Sequence, residues 1–150
     1  MHKILFVCTG NTCRSPMAEV IAKEIFIKSN LNAEVFSAGV SAWAEQPASR
    51  NALSAMEEWG LSLTSHRACL ASKKQVKDAN LVLTMTSSHK MMLASDYPKF
   101  KNKIFTLCEY AGSGKDISDP FGGSLEEYRS CANEIRSLLE IIAEKIKRTK

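Results

Sequence analysis

Short apolar runs alternate along this chain with segments whose apolar residues recur every three or four positions. The run from Lys3 to Val7 ends in a turn that contains glycine, and Ala79 to Met85 is the most continuous apolar run. Short continuous runs are typical of buried strands, and the three- to four-residue period is typical of amphipathic helices. Strands are therefore predicted over residues 3–7, 33–37, 79–85 and 103–107.

Helical patterns fill the gaps between the predicted strands. The second helix is predicted to start at Pro47, since proline suits the first helical turn, and to end at Gly60. Its buried side would contain Ala52, Met56 and Trp59. The other helices are predicted from about residue 14, over 71–77, over 87–94 and over 125–146, the last of them after a long loop at 110–123.

Strands that alternate with helices predict an α/β fold in which parallel strands are joined by right-handed crossovers. The predicted architecture is a three-layer α/β/α arrangement with a central four-stranded parallel sheet. A chain of 150 residues fits one domain, so a single domain is expected over residues 1–150. Ligands bind such folds beyond the carboxyl ends of the strands, where the loop after the first predicted strand lies.

The composition excludes several classes of protein. Apolar residues make up 45% and charged residues 24%, which is typical of a globular chain and not of a disordered one. The net charge of +4 is modest, and the densest basic stretch, at 145–150, resembles a solvated helix end, so no nucleic-acid partner is expected. No apolar run reaches the ~20 residues of a membrane span and no signal peptide is recognisable, so a cytoplasmic location away from membranes is expected.

Cysteine usage points to one residue. The five cysteines are an odd number without the spacing of a disulfide scaffold or a metal site, so reduced thiols are expected. Cys8 stands apart because it opens CTGNTCRS, between a predicted strand and a predicted helix. A loop over a helix N-terminus points backbone N–H groups inward, where they and the helix dipole favour a phosphate ion. The same potential favours a thiolate, so Cys8 is a candidate nucleophile.

Neighbours of Cys8 fit this chemistry. Arg14, six positions on, can bind two phosphate oxygens with its planar guanidinium, and Ser15 can donate a hydrogen bond to the Cys8 sulfur. Gly10 is expected to give the turn a positive φ, and the amide of Asn11 to brace the loop. The competing interpretation is a buried structural thiol at the end of a strand, which is the commoner role of a lone cysteine.

A leaving group needs a proton, and Asp119 in DISDPFGG is the candidate general acid. The proline after it stiffens its presentation, and Gly122 and Gly123 let the loop approach the site. Asp116, three residues earlier, is the competing candidate. On local sequence alone, Asp119 is equally consistent with an ordinary turn residue before proline.

Five motifs follow one another along the chain, namely KILFVCTGNTCRSPMAE (3–19), FSAG (36–39), SHRA (65–68), DANLVLTMTSSHK (78–90) and SDPFGG (118–123). Taken together, these motifs resemble the low-molecular-weight protein tyrosine phosphatases, and within them the bacterial branch that includes protein-arginine phosphatases. The similarity extends over nearly the whole chain.

The resemblance implies a monomeric protein phosphatase that acts on phosphorylated proteins without a metal or other cofactor. Cys8 would form a phosphocysteine intermediate, Arg14 would bind the phosphoryl group and Asp119 would be the general acid. The phosphate-binding loop would consist of Thr9, Gly10, Asn11, Thr12, Cys13, Arg14 and Ser15. A buried hydrogen-bond network that fixes this loop would consist of Asn11, Ser15, Ser37 and His66.

Phosphotyrosine and phosphoarginine enzymes share this frame, and Thr12 is the position that separates them. Tyrosine-specific members of the family usually carry a bulky aliphatic residue there, whereas the arginine-specific branch carries threonine. A hydroxyl can hydrogen-bond a polar guanidinium that a methyl group would leave unsatisfied. The sequence therefore favours phosphoarginine, with phosphotyrosine as the alternative. Trp43 and Phe121, the expected walls of the substrate cleft, do not decide between them.

Two other functions use a similar loop, and one regulatory hypothesis concerns its two cysteines. A thiol-dependent arsenate reductase on the same fold would need a further cysteine pair, whereas Cys69 stands alone in its region. A non-catalytic phosphate-binding module would need a damaged site. A reversible disulfide between Cys8 and Cys13 would protect the nucleophile from irreversible oxidation.

Overall fold

Four parallel strands form one sheet at the centre of the computed structural model, which describes residues 2–149. They are β1 (His2–Cys8), β2 (Ala33–Gly39), β3 (Leu81–Thr84) and β4 (Ile104–Thr106), arranged in the order β2-β1-β3-β4. This confirms the predicted four-stranded parallel sheet. The chain passes from β1 to β2 on one side and then crosses to β3 on the other, so the loops after β1 and β3 diverge. A crevice at such a switch point is where ligands bind in open α/β sheets.

Helices cover both faces of the sheet and give the predicted three layers. They are α1 (Arg14–Lys28), α2 (Arg50–Glu57), α3 (Lys73–Asp78), α4 (Ser87–Asp96), α5 (Leu107–Ala111) and α6 (Leu125–Arg148), with a 3₁₀ helix at Pro98–Lys103. Among residues 2–149, none of these helices has the length and apolar character needed to cross a membrane.

The alternation of side chains along β1 divides the core into two parts. Ile4 and Phe6 lie in the larger cluster, which contains the buried faces of α1, α2 and α6. Leu5 and Val7 point to the opposite face, where they join buried residues of α3 and α4. Cys8 continues the first series, so the two-residue period of the strand places its side chain on the same side of the sheet as α1.

The second helix differs from its prediction. It begins at Arg50 and not at Pro47, because the Ser49 side chain caps it by accepting a hydrogen bond from the backbone N–H of Ala52 at 3.4 Å. Trp59 was predicted to belong to the buried side of this helix, but it follows the end of α2 and is only half-buried. Its ring lies 5.1 Å from the guanidinium of Arg136, which explains how it is covered without being in the core.

The region after β3 contains more helix than predicted. Residues 98–103 form a 3₁₀ helix, and α5 occupies the end of the predicted strand and the start of the predicted loop. In α5, Thr106 and Glu109 form a capping box, in which each side chain accepts a hydrogen bond from the backbone N–H of the other residue. Five residues carry too little periodicity to reveal such a helix.

Two adjacent isoleucines on α6 test how the core is built. Ile142 is fully buried, whereas Ile141 is 40% exposed. Ile142→Ala is expected to lower the free energy of unfolding by about 2–5 kcal/mol, because it removes buried methylenes and leaves a cavity. Ile141→Ala should lower it by less than about 1 kcal/mol. Urea denaturation of both variants measures the difference, and equal losses would contradict the assigned register of α6.

Candidate active site

The loop from Cys8 to Ser15 lies at the carboxyl edge of the sheet, between the end of β1 and the start of α1. The side chains that sequence analysis assigned to its chemistry are buried: Cys8 is 2% exposed, Arg14 is 4% exposed, and Asn11 and Ser15 are fully buried. A buried charge and buried polar groups are costly unless they are hydrogen-bonded. Their contacts therefore define the site.

The carbonyl groups and the N–H groups in the backbone of this loop differ in their hydrogen bonding. Carbonyl groups of five loop residues accept hydrogen bonds from groups outside the loop or further along α1, namely those of Cys8, Thr9, Asn11, Thr12 and Cys13. In contrast, no backbone N–H of residues 9–15 donates to another group within residues 2–149. The N–H groups are therefore free to bind an anion, as is usual at the N-terminus of a helix.

A chain of hydrogen bonds leads to the sulfur of Cys8. The Asn11 Nδ2 group donates to Ser15 Oγ at 2.8 Å and to Ser37 Oγ at 3.0 Å. Ser15 Oγ, which accepts this bond, lies 2.9 Å from Cys8 Sγ. The hydroxyl hydrogen of Ser15 can therefore be donated to a thiolate, which stabilises negative charge on sulfur.

The side-chain oxygen and the backbone carbonyl of Asn11 connect the loop to the segment that contains His66 and Cys69. Its Oδ1 accepts a hydrogen bond from the backbone N–H of Cys69 at 3.0 Å, and its carbonyl oxygen lies 2.7 Å from His66 Nε2. His66 thus contacts the loop through the backbone of Asn11 and not through the side-chain network. Ser37 Oγ in turn donates to Glu19 Oε1 at 2.6 Å, a contact that sequence analysis missed.

The positive φ in this loop belongs to Asn11 and not to Gly10. Asn11 has φ of 57°, whereas Gly10 is not left-handed, so the prediction for Gly10 was wrong. Asparagine tolerates this conformation better than most residues because its short polar side chain can bond locally. The buried contacts of the Asn11 amide hold it there.

Gly39, at the end of β2, is a glycine whose lack of a side chain matters sterically for the loop. A Cβ atom at this position would lie 2.5 Å from the Thr9 carbonyl oxygen and 2.9 Å from the Asn11 backbone nitrogen. The end of β2 and the loop therefore approach more closely than any other residue type permits. The FSAG motif contains this glycine, but its partner in the loop could only be found from the structure.

Arg14 is fixed by three contacts around the loop. Its Nη1 donates to the carbonyl oxygen of Ile117 at 2.8 Å, and its Nη2 donates to Thr9 Oγ1 at 3.3 Å. Asp119 Oδ2 lies 3.6 Å from Nη2. The guanidinium is therefore held beside the loop before any ligand binds, with Asp119 at its exposed side.

The structure separates the two aspartates that sequence analysis left in competition. The Asp119 side chain is half-exposed, and its Oδ1 accepts from the backbone N–H of Phe121 at 3.1 Å. Asp116 instead accepts from the backbone N–H of Ser87 at 3.1 Å and from its hydroxyl at 3.3 Å, at the start of α4. Asp119 faces the loop, whereas Asp116 is engaged in holding a helix terminus.

Cys8, Thr12, Arg14 and Asp119 line one open cleft with a volume of about 310 Å³. Trp43 and Phe121, predicted as its walls, also line it and are 77% and 72% exposed. Gln46 lines the cleft as well and was not predicted. Its exposed position in a turn after Trp43 carries no sequence signal for a binding role.

Cys13 has its own buried surroundings. Its Sγ lies 3.2 Å from Tyr128 Oη on α6 and 3.3 Å from Ser49 Oγ. Burial and the Cys13 contact raise the pKa of Tyr128 to about 12, so its hydroxyl is protonated at neutral pH. Cys8 and Cys13 are both free thiols in the structure, and a disulfide between them stays a prediction.

Comparison with known proteins places the chain in a family. The family model described as low molecular weight phosphotyrosine protein phosphatase matches residues 3–150. The chain belongs to this family. The resemblance found in the sequence is thereby confirmed.

Within residues 2–149 no three His, Cys, Asp or Glu side chains cluster in a way that could hold a metal ion.

The similar proteins include enzymes named for two substrates. The chain is 42% identical over 146 residues to a protein-arginine-phosphatase of Bacillus subtilis, covering 97% of each protein. It is 39% identical over 140 residues to the low molecular weight protein-tyrosine-phosphatase PtpB of Staphylococcus epidermidis, covering 93% of this chain and 96% of the relative.

A solved structure of the YwlE arginine phosphatase, a cysteine-to-serine mutant with a phosphorylated active-site serine, superimposes with a TM-score of 0.94. It is 41% identical in sequence, and the match covers 97% of this chain and 96% of that one. The two folds are therefore the same over nearly their full lengths.

The close approach of Gly39 to the loop can be tested with two glycine variants. Gly39→Ala is expected to lower the free energy of unfolding by about 1–3 kcal/mol, because the new methyl group overlaps the Thr9 and Asn11 backbone. Gly10→Ala should leave it unchanged or raise it by up to about 1 kcal/mol, since its Cβ would meet only Thr12 Oγ1, at 3.7 Å. Chemical denaturation measures both, and an unchanged Gly39→Ala would refute the steric constraint.

Proposed function

We propose that this chain is a cysteine-dependent protein phosphatase that hydrolyses phosphoarginine in proteins through a phosphocysteine intermediate. The observation that carries the proposal is the loop around Cys8, in which the N–H groups of residues 9–15 are unpaired, the carbonyls are engaged, and Arg14 is held alongside. This arrangement suits a tetrahedral oxyanion next to a sulfur atom. Family membership supports the same reaction.

In the first step the Cys8 thiolate attacks phosphorus, and the bond from phosphorus to the leaving group breaks. The loop N–H groups and Arg14 stabilise the negative charge on the three non-bridging oxygens. Asp119, whose half-exposed carboxyl group lines the same cleft, donates a proton to the departing nitrogen or oxygen. The phosphorylated serine in the related YwlE mutant supports a covalent intermediate at this position.

In the second step a water molecule attacks the phosphocysteine and displaces the sulfur. Asp119, now ionised, accepts a proton from that water, and inorganic phosphate leaves. Ser15, 2.9 Å from the sulfur, donates a hydrogen bond to the thiolate as it departs. Both steps use only groups of the chain, so the proposed reaction requires no added metal or cofactor.

Thr12 supports phosphoarginine as the substrate. It lines the cleft beside the loop, and its Oγ1 has only one polar contact within residues 2–149, a long one of 3.7 Å to Cys13 Sγ. The hydroxyl is therefore available to a guanidinium N–H of the substrate. The relative of the same length that is 42% identical is named a protein-arginine-phosphatase, which agrees with this choice.

The alternative substrate, phosphotyrosine, also fits the two exposed aromatic walls. Trp43 and Phe121 could hold a phenyl ring between them, as aromatic pairs do. They could equally cover the planar face of a guanidinium. The walls are therefore compatible with both substrates, and Thr12 is the side chain that discriminates.

We further propose that the enzyme acts in the cytoplasm as a monomer with one domain over residues 1–150. Five free thiols suit a reducing compartment. Cys8, Arg14, Thr12 and Asp119 all come from one chain and line one cleft, so a second copy is not needed to complete the site. The open cleft, with exposed walls, suits a side chain presented on a protein surface.

The mechanism predicts different effects on turnover for substitutions of Cys8, Asp119 and Asp116. Cys8→Ser should abolish turnover while the protein stays folded, because the hydroxyl is a far weaker nucleophile at neutral pH. Asp119→Ala should lower kcat by roughly 10²- to 10⁴-fold, most strongly for poor leaving groups. Asp116→Ala, the matched control, should lower thermal stability but reduce kcat by less than about tenfold. Steady-state hydrolysis of aryl phosphates with graded leaving groups measures these effects, and full activity in Cys8→Ser would rule out the mechanism.

The substrate proposal predicts a switch at Thr12. Wild type should hydrolyse a phosphoarginine peptide with a higher kcat/KM than the matching phosphotyrosine peptide. Thr12→Ile should lower kcat/KM for phosphoarginine by roughly 10-fold or more, because it removes a hydrogen bond to a buried polar group, and should lower it less or raise it for phosphotyrosine. Thr12→Ser, which keeps the hydroxyl, is the control. A wild type that preferred phosphotyrosine would overturn the assignment.

A further inference from the structure

His89 is a buried histidine within the DANLVLTMTSSHK motif, and the proposed mechanism assigns it no role. It is the third residue of α4, whose N-terminus follows β3 at the same edge of the sheet as the Cys8 loop. Its side chain is only 5% exposed. A buried imidazole needs partners for both ring nitrogens.

Both ring nitrogens of His89 contact hydroxyl groups. Nδ1 lies 3.1 Å from Thr86 Oγ1, on the residue that caps α4, and Nε2 lies 2.8 Å from Thr9 Oγ1, in the loop. Thr86 Oγ1 also accepts from the backbone N–H of His89 at 3.3 Å, so the ring is fixed to the start of its own helix. His89 therefore joins a rigid helix terminus to the second residue of the loop.

The Thr9 hydroxyl links His89 to Arg14. A guanidinium can only donate hydrogen bonds, so Thr9 Oγ1 must be the acceptor in its 3.3 Å contact with Arg14 Nη2. The same oxygen is held on its other side by His89 Nε2. One threonine side chain is thus fixed by two partners, and the position of Arg14 depends on where that oxygen lies.

The surroundings keep the His89 ring neutral. Burial and the positive charge of Arg14 lower its pKa to about 4, although Asp119 and Asp116 act in the opposite direction. At neutral pH the ring therefore adds no positive charge beside Arg14, whose guanidinium supplies the positive charge that a phosphoryl group would meet in the cleft. Within residues 2–149 the His89 ring nitrogens are hydrogen-bonded to Thr9 and Thr86 and not to Cys8, whose sulfur is paired with Ser15.

We propose that His89 is a positioning residue of the phosphate site, which fixes the hydroxyl of Thr9 and, through it, the guanidinium of Arg14. The carbonyl oxygen of Ile117 accepts a hydrogen bond from Arg14 Nη1 at 2.8 Å, and Thr9 Oγ1 accepts one from Nη2. The two contacts together set the plane of the guanidinium. A guanidinium binds two phosphate oxygens only when this plane is correct. The inference rests on the proposed phosphatase function.

The test measures phosphate binding and catalysis separately. His89→Leu should raise the Kd for inorganic phosphate, measured by calorimetry, and lower kcat/KM for p-nitrophenyl phosphate, each by roughly 10- to 100-fold. His89→Gln, whose amide can still reach Thr9, should recover a part of both losses. Thr9→Val, which keeps the shape but lacks the hydroxyl, should weaken phosphate binding to a similar extent.

Two controls separate positioning from helix stability. Leu93, one turn further along α4, is also buried but belongs to the apolar core, so Leu93→Ala should lower the melting temperature without changing phosphate affinity. The double variant His89→Leu/Thr9→Val should be no worse than either single variant, because both substitutions break the same chain of contacts. Circular dichroism checks that each variant is folded. If His89→Leu is unfolded, the phosphate affinities of Thr9→Val and His89→Gln decide whether the proposal holds.

Unchanged phosphate affinity in folded His89→Leu, or in Thr9→Val, would overturn the proposal. So would losses that multiply in the double variant, since they would show that the two residues act independently. A wild type that binds phosphate but does not hydrolyse p-nitrophenyl phosphate would instead refute the proposed function. The phosphate affinities of the variants would still report on His89.

Discussion

The amide side chain of Asn11 fixes the far end of the loop that carries Cys8 and ties the loop to two separate segments. It donates to Ser15 at the start of α1 and to Ser37 on β2, and it accepts from the backbone N–H of Cys69. Within residues 2–149 every buried polar side-chain atom has a partner, so this network contains no unsatisfied group. Breaking one contact would leave a buried donor or acceptor unpaired, which is why the network favours a single loop conformation.

This constraint explains how unfavourable features coexist at the site. A left-handed asparagine, a close approach of two backbones at Gly39 and a nearly buried arginine each cost free energy. They persist because the contacts around them are complete. The result is a set of N–H groups and a guanidinium that are oriented before a phosphate arrives, so that little reorganisation is needed when charge develops in the transition state.

Much of the fold and of the site's chemistry could be predicted from local sequence. The apolar runs gave the parallel sheet, and the strand, loop and helix around Cys8 follow from residues that are adjacent in the chain. Short-range rules failed where a neighbour in space decides. The positive φ belongs to Asn11 because of its distant contacts, not to Gly10. The start of α2 is a different case, since the cap at Ser49 that sets it is a local contact with Ala52.

The contacts that fix Arg14 could not be found in this way. Ile117 contributes a backbone carbonyl, which no side-chain pattern reveals, and His89 lies 80 residues from Thr9 along the chain. Only the parallel order of the strands brings the loops after β1 and β3 to one edge. Long-range hydrogen bonds of this kind depend on topology, so they become predictable only once the sheet order is known.

The groups proposed for catalysis and the side chains proposed for substrate selection lie in different parts of this cleft. In the proposed mechanism the loop N–H groups and Arg14 interact with the phosphoryl oxygens, which are the same whether the leaving group is a guanidinium or a phenol. Discrimination must therefore come from side chains at the mouth of the cleft, where Thr12, Trp43 and Phe121 lie. The side chains of these residues are outside the Asn11 network, so exchanging them leaves the hydrogen bonds of that network in place. A single frame can thus serve phosphoarginine and phosphotyrosine enzymes, because changing the substrate does not require rebuilding the loop.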